Sequence, residues 1–223
     1  MKILLTGFNP FGELKINPSQ LIVQEIKNRS KSGDYVVIPS VLKTEYDAAE
    51  NKIRKLLREI RPDACVCLGL AMGGSSIQLE RIALNLDDTD SPDNAGELRC
   101  DRPIIADGPD IYRSTLPLNL IHEALRNCGI PTHYSNHAGT YICNHVFYTA
   151  IHEIQRLGIN AKCGFIHVPF ISKDTQEPIR FSAGLPLEMM IEAIECCLDI
   201  ISKDIAASTK SNDASQLNTF NIL

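Results

Sequence analysis

Clustered positive charge is what this 223-residue chain most plainly lacks: Lys and Arg number 22 against 27 Asp and Glu, the formal net charge is −5, and no basic stretch stands out. Nucleic acid is thereby excluded as the main partner, because phosphate recognition needs grouped Lys and Arg. No apolar run approaches the roughly 20 residues needed to span a bilayer. The opening MKILLTGF turns to Gly7 and Asn9 too early for a signal peptide. A cytoplasmic protein with no membrane partner is expected. Cysteine is plentiful, but C-x-x-C spacing is missing: Cys65 and Cys67 sit two apart in an apolar run, and Cys196 and Cys197 are adjacent. No metal site and no cofactor are therefore expected. A chain of this size, with no sign of export, needs no disulfide framework, so reduced thiols are expected, with Cys65, Cys67, Cys163, Cys196 and Cys197 in the core. A nucleotide signature is also missing. Gly69 to Ser76, GLAMGGSS, has neither the Lys-Ser/Thr pair of a phosphate loop nor G-x-G-x-x-G spacing; it reads as a turn that shapes a cleft.

What is present is an alternation of short apolar runs and amphipathic stretches. Lys2–Thr6, Tyr35–Val41, Ala64–Leu70 and Ala161–Val168 read as strands, and Ala64–Leu70, ACVCLGL, has the unbroken apolar character of a strand buried on both faces. Between them, Asn17 and Pro18 open a helix to about Asn28, and Thr44 to Asp47 fits a capping box for a helix ending before Pro62. Further helices are expected over Leu118–Arg126 and Leu185–Ile201. Ile77–Leu86 is expected to be one strand, with Glu80 on the face of Ile82, Leu84 and Leu86. Asp87–Pro109 is expected to be a long surface loop. This pattern indicates one α/β domain over residues 1–205, with helices on both sides of a sheet, followed by a polar, frayed tail over 206–223.

The chemistry centres on Ser135–Tyr148, SNHAGTYICNHVFY, which follows an expected strand and places Cys143 in a first helical turn. There a thiol faces unpaired backbone N–H groups and the positive end of the helix dipole, which favour a thiolate nucleophile; the alternative is a small buried hydrophobe. His167 ends a strand, at the edge where ligands bind in parallel sheets. Glu80, on an apolar strand face, needs compensation, either from an ion pair or from a catalytic histidine. The loop GFNPFG carries Phe8 and Phe11, available for packing or for an apolar ligand. His145, two positions from Cys143, faces the wrong way to serve as its base; like His152 it reads as structural or surface, and His122, His133 and His137 have no case of their own.

Taken together, TGFNPFG with a following NPS, ERIALN with PDN, DGPDIY with STLP, SNHAGTYICNHVFY and GFIHVPF resemble the pyroglutamyl peptidase type I (pyrrolidone-carboxylate peptidase) family of cysteine exopeptidases. The resemblance implies a three-layer α/β/α sandwich and Cys143 as nucleophile, His167 as general base and acid, and Glu80 as the residue orienting His167. It also implies that Phe8 and Phe11 line a lactam pocket, that peptides with an N-terminal pyroglutamate are the substrates, and that the chain is a homo-oligomer, dimer or tetramer. Two departures stand out. GLAMGG replaces the common GQAGGR, with Met72 for a glycine and Gly74 for the arginine, and Asp90 stands where many bacterial members carry another arginine. Weaker substrate binding is expected from the latter. Other readings are a weakly active or inactive homologue that binds modified peptide ends and, from the glycine-rich turn alone, a phosphorylase or nucleosidase.

Overall fold

The computed structural model describes residues 1–29, 34–172 and 184–219. In chain order its elements are β1 (Lys2–Phe8), α1 (Pro18–Arg29), β2 (Val36–Leu42), α2 (Tyr46–Ile60), β3 (Ala64–Leu70), β4 (Ile77–Glu80), β5 (Ile82–Leu84), β6 (Ile111–Arg113), α3 (Leu118–Asn127), β7 (Thr132–Ser135), α4 (Ile142–Arg156), β8 (Lys162–Val168), β9 (Phe170–Ile171), β10 (Gly184–Leu185) and α5 (Leu187–Thr219). The central sheet has the order β2-β1-β3-β8-β4-β7. Strands β1, β2, β3 and β8 run parallel; β4 is antiparallel to β8 and parallel to β7.

Alternation along each strand sends side chains to two separate cores. Ile3, Leu5, Val66, Leu68 and Ile166 pack against α1, α3 and α5. Leu4, Cys65, Cys67, Cys163 and Phe165 pack against α2 and α4. The single-domain three-layer sandwich with a largely parallel sheet is therefore the fold. Among the described residues no helix is long and apolar enough to cross a membrane. Asn17 caps α1 as its sequence predicts, accepting the Ser19 N–H at 3.1 Å.

Three local expectations are corrected, and one, the long loop, gains detail. First, Ile77–Leu86 is not one strand: β4 belongs to the main sheet, while β5 pairs with β6 in a separate ribbon. The buried Asn144 side chain causes the break to hold, accepting the Leu84 N–H at 2.8 Å and donating to the carbonyls of Leu84 and Leu86 at 2.9 and 3.0 Å. Glu80 is buried in the main sheet, whereas Ile82, Leu84 and Leu86 are half-buried and Ile82 and Leu84 belong to the separate ribbon. Second, Thr44 does not cap α2; its hydroxyl donates to the Asn9 carbonyl at 2.9 Å, and Asp93 Oδ2 takes the Tyr46 N–H at 2.8 Å instead. Third, the long loop Asp87–Pro109 is anchored to the rest of the domain. Asp87 pairs with Arg102 in a β-bridge, and the buried Arg99 binds Asp87 at 3.1 Å, Asp47 at 2.8 Å and Glu97 at 2.7 Å. Fourth, α5 continues past Ile201 to Thr219, since no glycine or proline interrupts 187–219; residues 220–223 of the expected tail lie outside the described residues.

Candidate active site

Strand parity and one glycine assemble the site. On β8, Cys163, Phe165 and His167 alternate toward α4, and on β4 Ile77 and Leu79 face the opposite core, which leaves Glu80 on the α4 side. His167 Nδ1 and Glu80 Oε1 are 2.7 Å apart, with both side chains buried. Nε2 is thus the nitrogen left for a reacting group. Cys143 is the second residue of α4, and its sulfur lies over Gly69, the register partner of His167 on β3. A methyl group at Gly69 would meet the Cys143 sulfur at 2.8 Å and the Phe165 ring at 2.7 Å. Only a residue without a side chain lets the thiol settle this close to the sheet.

Cys143 and His167 line the same cavity wall. Burial works against a charged imidazole, but the neighbouring Cys143 sulfur and the bond to the Glu80 carboxylate outweigh it and lift His167 to about 9. The N–H groups in the first turn of α4 have no intrahelical partner, and the Tyr141 side chain does not cap them. They are available to an anion formed beside Cys143.

Cys143 and His167 open onto a cavity of about 180 Å³. Phe8, Phe11 and Tyr141 form its aromatic wall, with Phe11 and Tyr141 rings 6.3 Å apart; Leu70 and Met72 add apolar surface, and Asn17 and Thr44 add polar atoms. All five residues singled out from the sequence therefore meet here, with Glu80 behind His167. Asn17, Thr44 and Tyr141 were not expected as site residues. The first two read as helix caps, and only their position next to the GFNPFG loop and the Cys143 turn signalled a further role. Asp90 is exposed and does not line the cavity.

The other histidines are engaged elsewhere. His145 is buried between Asp87 (2.9 Å) and Glu50 (3.2 Å), and His152 shares a hydrogen bond with the Tyr112 hydroxyl at 2.9 Å. The SNHAG turn leaves a strand, β7, that runs opposite to β8. The turn nevertheless reaches the cavity through Ala138.

Gly69→Ala is expected to displace the thiol from His167 and lower kcat by about 10²-fold, the scale of a misplacement near 1 Å. Steady-state kinetics with the folded variant would check this; unchanged kcat would show that the close approach is dispensable.

A family model described as pyroglutamyl peptidase matches residues 1–204. The chain belongs to that family. It is 38% identical over 208 residues to the pyrrolidone-carboxylate peptidase of Pyrococcus furiosus, covering 92% of this chain and 100% of the relative. It is 39% identical over 193 residues to the pyrrolidone-carboxylate peptidase of Bacillus licheniformis, covering 86% and 88%. A crystal structure of the Pyrococcus furiosus pyrrolidone carboxyl peptidase and its cysteine-free mutant superimposes with a TM-score of 0.88, covering 92% of this chain and 100% of that one. Family membership favours the peptidase over both alternatives drawn from the sequence, the binding homologue and the phosphorylase or nucleosidase.

Proposed function

We propose that this chain, through Cys143, His167 and Glu80, removes an N-terminal pyroglutamyl residue from peptides as a cysteine exopeptidase. The observation that carries the assignment is the meeting of Cys143 and His167 on the wall of one small aromatic cavity, with the buried Glu80 bonded to His167 at 2.7 Å behind it. With the thiol proton held on His167 Nε2, the sulfur attacks the carbonyl that joins pyroglutamate to the next residue. The tetrahedral oxyanion is met by N–H groups of the first turn of α4. The C–N bond then breaks as His167 returns the proton to the leaving amine, giving a thioester and a shortened peptide. Water, deprotonated by His167, attacks the thioester; pyroglutamate departs and the thiol is restored.

Glu80 is a positioning residue in this scheme, holding Nδ1 as the protonated nitrogen so that Nε2 faces the thiol. Phe8, Phe11 and Tyr141 suit the faces of a neutral lactam, and Asn17 and Thr44 suit its amide. A cyclised N-terminus has no ammonium group, and among the described residues no carboxylate lines the cavity to bind one. One peptidase domain over residues 1–205 accords with the family match to 1–204. Assembly as a dimer or tetramer goes with the family resemblance, and light scattering of the purified protein tests it.

Release of a chromogenic amine from a pyroglutamyl amide is the direct test; its absence in the reduced protein would sink the proposal. The pH profile adds a second test. His167 must carry the proton it gives to the leaving amine, so turnover is expected to fall as pH rises through about 9. Glu80→Gln removes the negative charge that helps hold this proton on, and the alkaline limb should move to lower pH, with kcat down by about 10²-fold. An alkaline limb that does not move would remove Glu80 from the assignment.

A further inference from the structure

Met72 has no part in the chemistry above, yet it lines the cavity with Cys143 and His167 while remaining 69% exposed. Single exposed apolar side chains are ordinary. The placement of this one is not, because its backbone is strapped to the strand that carries the base. The Ala71 N–H donates to the carbonyl of Val168, the residue after His167, at 2.9 Å. The Gly74 N–H then donates back to the Ala71 carbonyl at 3.2 Å, and Gly73 has φ +80°. This is a tight turn whose second central position requires a left-handed backbone, with Met72 at the first. Met72 is presented from a closed turn.

Strand order gives the cavity a direction. Phe8 and Phe11 come from the end of β1, His167 comes from β8, and β3 lies between them. With the ring held on the β1 side and the leaving amine protonated by His167, the remainder of the peptide departs on the β8 side. Met72 stands in the turn that follows β3, the strand between β1 and β8, and the bond from Ala71 to Val168 ties that turn to the β8 side.

We infer that Met72 is a specificity-determining residue, packing against the side chain that follows the scissile bond and favouring pyroglutamyl peptides whose second residue is apolar. The inference rests on the peptidase reading of the site. An unbranched, polarizable thioether adapts to leucine, phenylalanine or methionine alike. An acidic second residue gains nothing here, because no lysine or arginine lines the cavity among the described residues.

The experiment compares kcat/KM for pyroglutamyl-leucine amide and pyroglutamyl-glycine amide, in the parent chain and in Met72→Gly, Met72→Gln and Met72→Leu. Covering part of a leucine side chain is worth about tenfold, so the parent should prefer the leucine substrate by about that factor. The ratio should collapse toward unity in Met72→Gly and Met72→Gln and survive in Met72→Leu. Because the readout is a ratio, any loss common to both substrates cancels. A parent that cleaves both amides without preference, or a preference that survives Met72→Gly, overturns the role of Met72 and leaves the peptidase intact. A parent that cleaves neither overturns the peptidase reading and this inference with it.

Discussion

Cys143→Ala is expected to lower turnover of a pyroglutamyl amide by at least about 10⁴-fold, the scale on which loss of a nucleophile acts when binding groups and oxyanion donors remain. In the proposed mechanism the thiol forms the bond that divides hydrolysis into two easier steps, and among the described residues lining the cavity no other offers a thiol. Thr44 is the nearest chemical analogue, but its hydroxyl is held by Asn9 and it has no base beside it. The substitution removes a sulfur at the edge of an open cavity, so the unfolding free energy should stay within about 1 kcal/mol of the parent. Activity and thermal unfolding measured on the same preparation separate lost chemistry from lost fold. Turnover that persists in a folded Cys143→Ala protein would transfer the nucleophile's role elsewhere.

Arg99→Ala should cost about 3 kcal/mol of stability, because it leaves a buried carboxylate short of its cation. Asp87 is fully buried, and among the described residues its side chain receives only Arg99 at 3.1 Å and His145 at 2.9 Å. The pairs of Arg99 with the exposed Asp47 and the partly exposed Glu97 contribute little. Arg99 also lies 4.3 Å from the centre of the Tyr46 ring, so its loss uncovers the start of α2 as well. For a chain of this size the cost corresponds to a fall in Tm of roughly 6–12 °C. Arg99→Lys should recover only part, since an ammonium cannot reproduce the guanidinium fork.

The same cluster sets a pH dependence with a definite sign. Burial opposes charge on His145, but its bonds to Asp87 and Glu50 outweigh burial and raise its pKa. Its contribution is fully present below the ordinary histidine value and is lost as pH rises through the raised folded value. The bond to His145 chiefly, with Arg54, holds Glu50 down to about 2, so the Glu50 contribution is present above 4.5 and is lost as pH falls toward 2. In Arg99→Ala, His145 becomes the last cation on Asp87, and Tm should fall more steeply with rising pH than in the parent. Thermal unfolding across the pH range checks this; a loss independent of pH, or below about 0.5 kcal/mol, would show that Asp87 does not depend on Arg99.

Which parts of this were legible beforehand follows from how far each cause reaches along the chain. The Asn17 cap, the apolar run of β3 and the thiol at the start of α4 depend on near neighbours, and all can be read from sequence. The break after Glu80 depends on Asn144, more than sixty residues on, and the cap of α2 comes from Asp93 rather than from Thr44. No local pattern carries such information. Glu80 shows the difference most plainly. Its type and its place in a strand suggested a buried partner, but the face assigned to it assumed a strand reaching Leu86. The burial holds because of β8, its neighbour in the sheet.

The sequence by itself determined the alternation of strands and helices, the first-turn position of Cys143, the strand-end position of His167 and, through five separated motifs, the family. These are local consequences of side-chain periodicity, turn chemistry and residue identity. The tertiary structure alone decided that β4 runs against β8, so that Glu80 meets the imidazole of a residue 87 positions away at 2.7 Å. It alone decided that Gly69 lies under the Cys143 sulfur, and that Arg99 and His145 converge on Asp87. Strand order and sense are chosen by which faces bury together across the whole chain, and that choice carries no mark at any single position.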